Sequence, residues 1–273
     1  MSLAWAIGGL AAGLSLAMMG AWAIVVRTGN SGWIDAIWSL AVGAAGVAGA
    51  LVPTGSNAPA ARQIVVAALA AIWSLRLGLY IAQRTLGGGD DPRYAKLRAD
   101  WGAAYRRQLF LLLQIQAACG FLLALSILAA AHNPAAGLRP GDGLGVLLLV
   151  AAILGESIAD RQLARFRAEP ANKGRVCDIG LWGLSRHPNY FFEWLGWLAY
   201  AVIAVDPLGG YRWGWVAVLG PALVYWLLVH ASGIPPLEAH MLRSRGAAFR
   251  AYQARVNAFW PGPPRSRRQA APS

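Results

Sequence analysis

The chain has 273 residues, of which 57% are hydrophobic and only 13% are charged, whereas ordinary soluble domains carry about 25% charged residues. Its 13 Trp and 32 Gly are typical of a helical membrane protein, in which aromatic side chains lie at the interfaces and Gly permits close helix contact. The composition therefore excludes an ordinary soluble domain. The net charge of +12 would suit a nucleic-acid-binding protein, but the distribution of that charge along the chain excludes one.

Seven apolar stretches approach the ~20 residues that cross a bilayer, and they predict an all-α polytopic membrane protein with about seven transmembrane helices. The predicted spans are residues 3–26, 32–52, 61–83, 109–131, 143–160, 190–205 and 213–231, of which the sixth is the shortest. The first stretch is too long for a signal peptide and has no basic segment before it, so we interpret it as a retained span.

Basic residues are concentrated in alternate loops. Of the 24 Lys and Arg side chains, 20 fall in the first, third and fifth loops and the C-terminal tail, and three fall in the other loops. The positive-inside rule then predicts an outside N-terminus and a cytoplasmic C-terminus.

The loops differ in character along the chain. The even-numbered loops, such as 53–57, are short and rich in Gly, Pro and Asn, as tight helix connections are. The glycines at 87–89 predict a break after the third span, followed by a short polar helix over 90–98. The stretch 160–174 is polar and predicted to be helical at first, and 237–256 predicts an interfacial amphipathic helix. We expect one integral-membrane domain over residues 1–260 and a disordered cytoplasmic tail over 261–273.

The segment 180–193 carries the strongest functional signal. It places Arg186, His187, Asn189, Tyr190 and Glu193 at the mouth of the sixth span. Polar and ionisable groups at membrane depth are energetically costly, so they predict a functional site. The alternative is an interfacial anchor, which would explain Arg186 and Tyr190 but not Glu193, one turn further into an apolar helix.

The long basic loops predict a binding site for a polyanion, because arginine donates several hydrogen bonds in one plane and stays charged. Asp160, at the end of the fifth span, can meet a sugar hydroxyl or pair with a neighbouring arginine, and the sequence leaves both open. No Gly-x-Gly-x-x-Gly motif follows a strand, which excludes a Rossmann site. The two cysteines and four scattered histidines predict no metal site.

Asp35 and Arg76 are the isolated charges of the second and third spans. One interpretation is a structural ion pair between them. The other is the polar end of an apolar pocket, where Asp35 or Tyr80 hydrogen-bonds a carbonyl group. Glu156, in the fifth span, is a further candidate, and periodicity does not choose among them.

Several motifs together resemble the membrane steroid 5-alpha-reductase family, in its bacterial branch, from about residue 30 onward. They are Asp35-x-x-Trp38, Trp73-Ser-Leu-Arg-Leu-x-x-Tyr80 with Arg84, Asp90-Asp-Pro-Arg-Tyr94, Ser185-Arg-His-Pro-Asn-Tyr190 with Glu193, and Gly233-Ile-Pro-Pro-Leu-Glu238. Arg-His-Pro-x-Tyr alone is less specific, because isoprenylcysteine and phospholipid methyltransferases resemble the chain there. The combination with Asp-Asp-Pro-Arg-Tyr is far more selective.

The resemblance implies a seven-helix enzyme of the bacterial inner membrane that transfers hydride from NADPH to the carbon–carbon double bond of a 3-oxo-4-ene steroid. Matched by position to the family, Asn189 and Glu193 would hold the nicotinamide end of NADPH. Asp160 and Arg167 would contact its adenosine and phosphates. The other cofactor contacts that we expect are Arg84, Arg93, Tyr94, Arg175, Arg186, His187, Tyr190 and Glu238. The expected catalytic residues are Asp35, Tyr80 and Glu193.

On the substrate side this chain departs from the family, since only Asp35 and, loosely, Tyr80 align with the carbonyl-binding residues of the animal enzymes. We expect a protonated Asp35 to donate a hydrogen bond to the ketone, because lipid-facing surroundings disfavour the charged carboxylate. The expected partners are a steroid or another flat apolar molecule and membrane lipid, with no nucleic acid and no obligatory protein.

Two other function classes stay open. One is a methyltransferase of lipid or isoprenylcysteine that uses S-adenosylmethionine. This cofactor carries no phosphate, so it would not explain why the loops contain so many arginines. The other is a non-catalytic lipid-binding or scaffold protein, which would leave Asn189 and Glu193 without a role.

Overall fold

The structure is a computed structural model that describes residues 3–53, 60–88 and 90–265. Within these ranges the chain is all-helical and contains no strand, as the sequence predicts. Three predicted features lie wholly or partly outside the described residues: most of the loop at 53–57, the last glycine of the 87–89 run, and residues 266–273 of the tail.

The helices follow the predicted spans closely. The described helices are α1 (Leu3–Thr28), α2 (Trp33–Ala50), α3 (Ala61–Gly87), α4 (Pro92–Trp101), α5 (Tyr105–Ala131), α6 (Pro140–Ala168), α7 (Pro188–Ala204), α8 (Leu219–Trp226) and α9 (Ile234–Arg255). A 3-10 segment, Arg212–Val218, precedes α8, and a π-helical turn, Leu227–Ala231, follows it. The polar helix expected after the third span is present as α4.

Six described helical stretches are long and apolar enough to cross a membrane. They are Leu3–Thr28, Trp33–Ala50, Ala61–Gly87, Arg93–Ala131, Pro140–Ala168 and Arg212–Arg255. The predicted sixth span corresponds to α7, which has 17 residues and is not among them. A polytopic helical membrane protein is therefore confirmed, while the count of seven spans and their orientation stay predictions.

One compact unit consists of Met1–Gly143 and Tyr200–Gly220. In it α1, α2, α3 and α5 pack against one another, and the 3-10 segment packs on α5. Small residues permit this packing. A Cβ atom added at Gly43 would lie 2.0 Å from the Ser74 hydroxyl oxygen, and one at Gly46 would lie 2.6 Å from Ile127. Close helix contact through Gly is a common feature of membrane bundles.

A buried ion pair fixes the ends of two helices in this unit. Arg62, in the first turn of α3, donates to both carboxylate oxygens of Asp142 over 2.8 and 2.9 Å. The same guanidinium donates to the backbone carbonyls of Asn133, Ala135 and Gly137. Arg62 and Asp142 are 4% and 2% exposed, so this basic residue of an even-numbered loop has a structural role.

The second compact unit consists of Leu144–Ala199 and Pro221–Ser273. Most of α6 and α7 lies in it, and a Cβ atom at Gly155 of α6 would come within 2.3 Å of the Phe192 ring of α7. Helix α9 bends at Gly246, whose φ of 51° is accessible mainly to Gly.

The apolar side of α9 departs from the prediction of an interfacial helix. Phe249, Tyr252 and Val256 are buried and pack with Val176, Met241 and Leu242. The periodicity does predict the helix and its apolar side. That side is covered by the protein itself, because the loop after α6 supplies an apolar partner.

Candidate functional site

The loop that enters α7 is held by a carboxylate at the start of α9. Glu238 accepts hydrogen bonds from Arg186 Nε and Nη2 at 2.7 and 3.1 Å, and from the Gln253 side chain at 2.7 Å. His187 Nε2 lies 3.0 Å from the same carboxylate, which can only accept, so that nitrogen donates. Arg186 also donates to the backbone carbonyls of Gln253 and Val256. Residues predicted from separate motifs therefore meet in one network.

This arrangement bears on the role expected for Arg186, His187 and Glu238. We expected them to contact a cofactor, yet the guanidinium of Arg186 is directed to protein acceptors, and both it and Glu238 are about nine-tenths buried. A carboxylate shared by a guanidinium, an imidazole and an amide makes strong charge-assisted hydrogen bonds. The network positions the loop, and the cofactor contacts expected of these three residues stay predictions.

Hydrogen bonds behind the network fix the same loop. The Ser185 hydroxyl donates to the carbonyl of Phe259 and accepts from the backbone N–H of His187. The Tyr252 hydroxyl donates to the carbonyl of Trp182 over 2.6 Å, and the Trp182 indole donates to the carbonyl of Ala159. The loop is thereby tied to both α6 and α9, which sets the position of the first turn of α7.

Burial lowers the pKa of His187 below its usual value, while the hydrogen bond to Glu238 opposes that shift. The side chain is 3% exposed, so the cost of burying the imidazolium charge is the larger effect. The ring also stacks on Tyr190, with centroids 5.4 Å apart. His187 is therefore neutral near neutral pH and packs Tyr190 in place.

The first turns of α7 bring the predicted polar residues together. The helix starts at Pro188, whose fixed φ suits a first helical position. The amide of Asn189 donates to Asp160 of α6 over 3.4 Å. Glu193, one turn further along α7, accepts from the indole of Trp197 over 2.9 Å. Asn189 thus links α7 to α6 at Asp160, and Glu193 follows one turn further along α7.

Exposed cations follow Asp160 along the chain. Arg167 lies in the last turn of α6, and Lys173 and Arg175 lie in the loop that follows. All three side chains are exposed, and Arg175 donates to the Asn172 side chain over 3.2 Å. The predicted residues Asp160, Arg167 and Arg175 therefore belong to the same unit as Asn189 and Glu193.

Asp35 makes different contacts from those expected of a substrate-binding acid. It lies in the first turn of α2 and accepts from Arg93 over 2.5 Å and from the Tyr94 hydroxyl over 3.3 Å. Arg93 also donates to Asp91, which caps α4 by accepting the backbone N–H of Arg93. Asp35 accepts both hydrogen bonds and so holds α4 on α2, and its role as a donor to a ketone stays a prediction.

The same contacts involve Arg93 and Tyr94, both of which we expect to contact a cofactor. Arg93 is hydrogen-bonded to two carboxylates and is 52% exposed, and the Tyr94 hydroxyl is buried against Asp35 and Gln116. The sequence did not signal the contact with Asp35 because that residue is 58 positions away from Arg93. The contact of Arg93 and Tyr94 with a cofactor stays a prediction.

The other residues predicted in the third span lie along α3. Tyr80 is 42% exposed, and the guanidinium of Arg76 lies over its ring at 5.6 Å. Arg84, near the end of the helix, is exposed and lies 4.0 Å from Asp91. The structure therefore places Arg84 in the surroundings of the Asp91–Arg93 pair.

Sequence reasoning missed Gln253 and Gln116. Gln253 donates to Glu238, and Gln116 of α5 donates to the Tyr94 hydroxyl over 2.9 Å. A polar residue within the apolar 109–131 stretch is a signal that could have identified Gln116. Gln253 lies on a helix with many polar residues and gives no such signal.

One family model, described as "protein of unknown function (DUF1295)", matches residues 21–256, which is most of the chain. No curated protein and no solved structure matches the chain. The family is grouped with steroid 5-alpha-reductase-like membrane proteins. The match extends over both compact units and includes the residues of α6, α7 and α9 described above. The chain therefore belongs to the DUF1295 family of steroid 5-alpha-reductase-like membrane proteins.

Proposed function

We propose that the protein reduces the 4,5 double bond of a 3-oxo-4-ene steroid, or of a similar flat apolar enone, with NADPH in the membrane. The observation that carries the proposal is the hydrogen bond between Asn189 of α7 and Asp160 of α6, with Glu193 one turn further along α7 and the exposed Arg167 and Arg175 after Asp160. The family's grouping with steroid 5-alpha-reductase-like proteins supports the same reaction class.

The donor set at α6 and α7 fits this cofactor. The carboxylate of Glu193 can accept from the amide N–H of a nicotinamide, and the amide of Asn189 can donate to its carbonyl. Asp160 can accept from a sugar hydroxyl, and Arg167 and Arg175 supply cations for phosphate. When bound, NADPH would supply the hydride and the protein would supply orientation and a dry site.

In this proposal the network around Glu238 positions the residues that bind the cofactor. It fixes the loop before Pro188 and so fixes Asn189, which follows directly. A misplaced first turn of α7 would move both Asn189 and Glu193, since they are one turn apart on the same helix. Small displacements of orienting groups cost large factors in rate, which gives these buried contacts a functional consequence.

For the substrate ketone, the family resemblance offers Asp35 and Tyr80 as the candidate hydrogen-bond donors. Asp35 is engaged as an acceptor by Arg93 and Tyr94, whereas a phenol hydroxyl can donate. A donor at the ketone oxygen stabilises the negative charge that develops there when hydride adds to the distal alkene carbon. The proposed location is the bacterial inner membrane, with the cofactor-binding residues on the cytoplasmic side.

Binding of NADPH, NADH and S-adenosylmethionine to the purified protein in detergent tests the proposal. We expect NADPH to bind more tightly than NADH, because its extra phosphate can contact an additional arginine. We also expect NADPH-dependent reduction of testosterone in the same preparation. Binding of S-adenosylmethionine without binding of NADPH would contradict the proposal and support the methyltransferase alternative.

A further inference from the structure

Helix α7 has a second face that the proposed reaction does not use. Asn189 and Glu193 share one face, being four residues apart, and the residues on the opposite face are apolar. This opposite face borders a groove of about 610 Å³, together with the 3-10 turn Gly180–Gly183 and the chain after α9. The principal walls are Leu184, Phe191, Phe192, Leu195, Leu198 and Trp260.

The shape and chemistry of the groove fit an extended apolar chain. It runs beside α7 from Pro188 to Leu198, a length of about 15 Å at the rise of an α-helix. Trp260, at its edge, is 50% exposed and packs edge-on against Trp194 at 5.1 Å. Tryptophans of this kind lie at the level of lipid headgroups in membrane proteins.

Two segments that form hydrogen bonds at one end of the groove continue to basic residues. Gln162 of α6 accepts the backbone N–H of Leu181 over 3.0 Å, which brings α6 next to this end. Arg165 is exposed and lies one turn further along α6. On the other side, Gly262 donates to the carbonyl of Leu184, so the chain toward Arg265 passes the same end.

Arg165 and Arg265 are available to an anionic ligand. Both side chains are exposed, and within the described part of the chain neither forms an ion pair. The backbone N–H of Arg265 donates to the carbonyl of Arg255, which holds this part of the chain in place. An apolar groove, with exposed arginines three residues beyond Gln162 and Gly262 at its end, complements a molecule that has an acyl chain and a negative headgroup.

We propose that this groove binds an anionic phospholipid, with one acyl chain along α7 and the headgroup phosphate at Arg165 and Arg265. A zwitterionic lipid brings its own cation to the same end and so gains less from these arginines. The site does not depend on the proposed reductase activity, because the groove and the polar residues lie on opposite faces of α7.

Quenching of tryptophan fluorescence by brominated acyl chains tests the site. The protein would be reconstituted in phosphatidylcholine vesicles that contain a small fixed fraction of either brominated phosphatidylglycerol or brominated phosphatidylcholine. The chain has 13 Trp, so the difference between the wild-type protein and Trp260→Phe isolates the signal from the groove. We expect occupancy by phosphatidylglycerol to be favoured by at least about fivefold, the effect of a single arginine near an anionic lipid, because the site has two arginines.

A double variant and a matched control separate the groove from general charge effects. Arg165→Gln with Arg265→Gln should abolish the preference for phosphatidylglycerol. Arg212→Gln removes an exposed arginine from another loop and should retain it. Equal quenching of Trp260 by the two lipids in the wild-type protein would overturn the proposal, as would a preference that survives in the double variant. NADPH binding should be unchanged in the double variant.

Discussion

The side-chain amide of Asn189 donates a hydrogen bond to the carboxylate of Asp160 over 3.4 Å and links the first turn of α7 to α6. The two residues are 29 positions apart, and the loop between them returns the chain to α6. Arg186 holds that loop through Glu238, and Trp182 holds it through the carbonyl of Ala159. The polar groups proposed to orient the cofactor are thus placed by contacts that do not touch the cofactor themselves.

Replacing Glu238 by Gln should destabilise the protein. The variant keeps the size of the side chain but removes the charge that Arg186, His187 and Gln253 share. Weakening a charge-assisted contact in a buried site costs about 1–3 kcal/mol, and each kcal/mol lowers Tm by about 2–4 °C in a chain of this size. Thermal unfolding in detergent measures the shift. Glu169→Gln, at an exposed position, is the control, and an equal Tm for the two variants would exclude a structural role of the network.

The stability of the protein should fall on acidification through the titration of His187. Burial lowers its pKa in the folded protein below the unfolded value, which is about 6.5. The folded state then binds fewer protons than the unfolded state, so the contribution is complete above that value and is lost as the pH falls through the folded pKa. We expect the Tm to decrease between about pH 7 and pH 5, with a smaller decrease in His187→Asn. The exposed His240→Asn should behave like the wild-type protein. If Tm falls as steeply with decreasing pH in His187→Asn as in the wild-type protein, another group causes the loss of stability.

Replacing Arg167 by Ala should weaken NADPH binding. A lost charge-assisted contact to phosphate is worth about 1.5–3 kcal/mol, or roughly one to two orders of magnitude in Kd. High ionic strength should reduce the affinity of the wild-type protein by screening the same contact. Titration with NADPH in detergent measures both effects. Arg212→Ala, at an exposed position in another loop, should bind normally, and unchanged affinity in Arg167→Ala would remove that residue from the phosphate site.

Replacing Asp35 by Asn should loosen α4. The carboxylate accepts from Arg93 and Tyr94, and an amide oxygen without charge binds a guanidinium more weakly. Hydrogen exchange of the peptide that covers α4 should therefore become faster while NADPH affinity changes little. Asp100→Asn disrupts only an exposed pair with Lys96 and is the control within the same helix. Unchanged exchange in Asp35→Asn would show that Asp35 does not anchor α4.

Most of the helical architecture could be predicted because the length of an apolar stretch indicates a span. Six of the predicted spans lie in stretches long enough to cross a membrane, since a bilayer requires about 20 apolar residues in a row. α7 is harder to classify because its 17 residues fall short of that length. The 3-10 segment Arg212–Val218 and the π-helical turn Leu227–Ala231 are not apparent in the hydropathy of the sequence.

The candidate site was only partly predictable, for a different reason. Residues close together in one motif, such as Asn189 and Glu193, keep their spacing on a helix, so the sequence indicates that they share a face. The partners of Arg186 and Asp35 come from 52 and 58 positions away. A single sequence does not specify which of many carboxylates and arginines will meet across such distances.

Replacing Glu193 by Gln should reduce the rate of hydride transfer without unfolding the protein. The amide oxygen of Gln can still accept from the Trp197 indole, which lies 2.9 Å from Glu193, so Tm should stay near the wild-type value. The amide oxygen of Gln is a weaker acceptor than a carboxylate for the amide N–H of the nicotinamide. We therefore expect the rate of hydride transfer to fall at least tenfold, about 1.4 kcal/mol of barrier. Single-turnover oxidation of NADPH with testosterone measures the step, and Glu169→Gln again provides the control at an exposed position. A stable variant with the full rate would show that Glu193 has no part in orienting the cofactor, because a neutral side chain would then serve equally well.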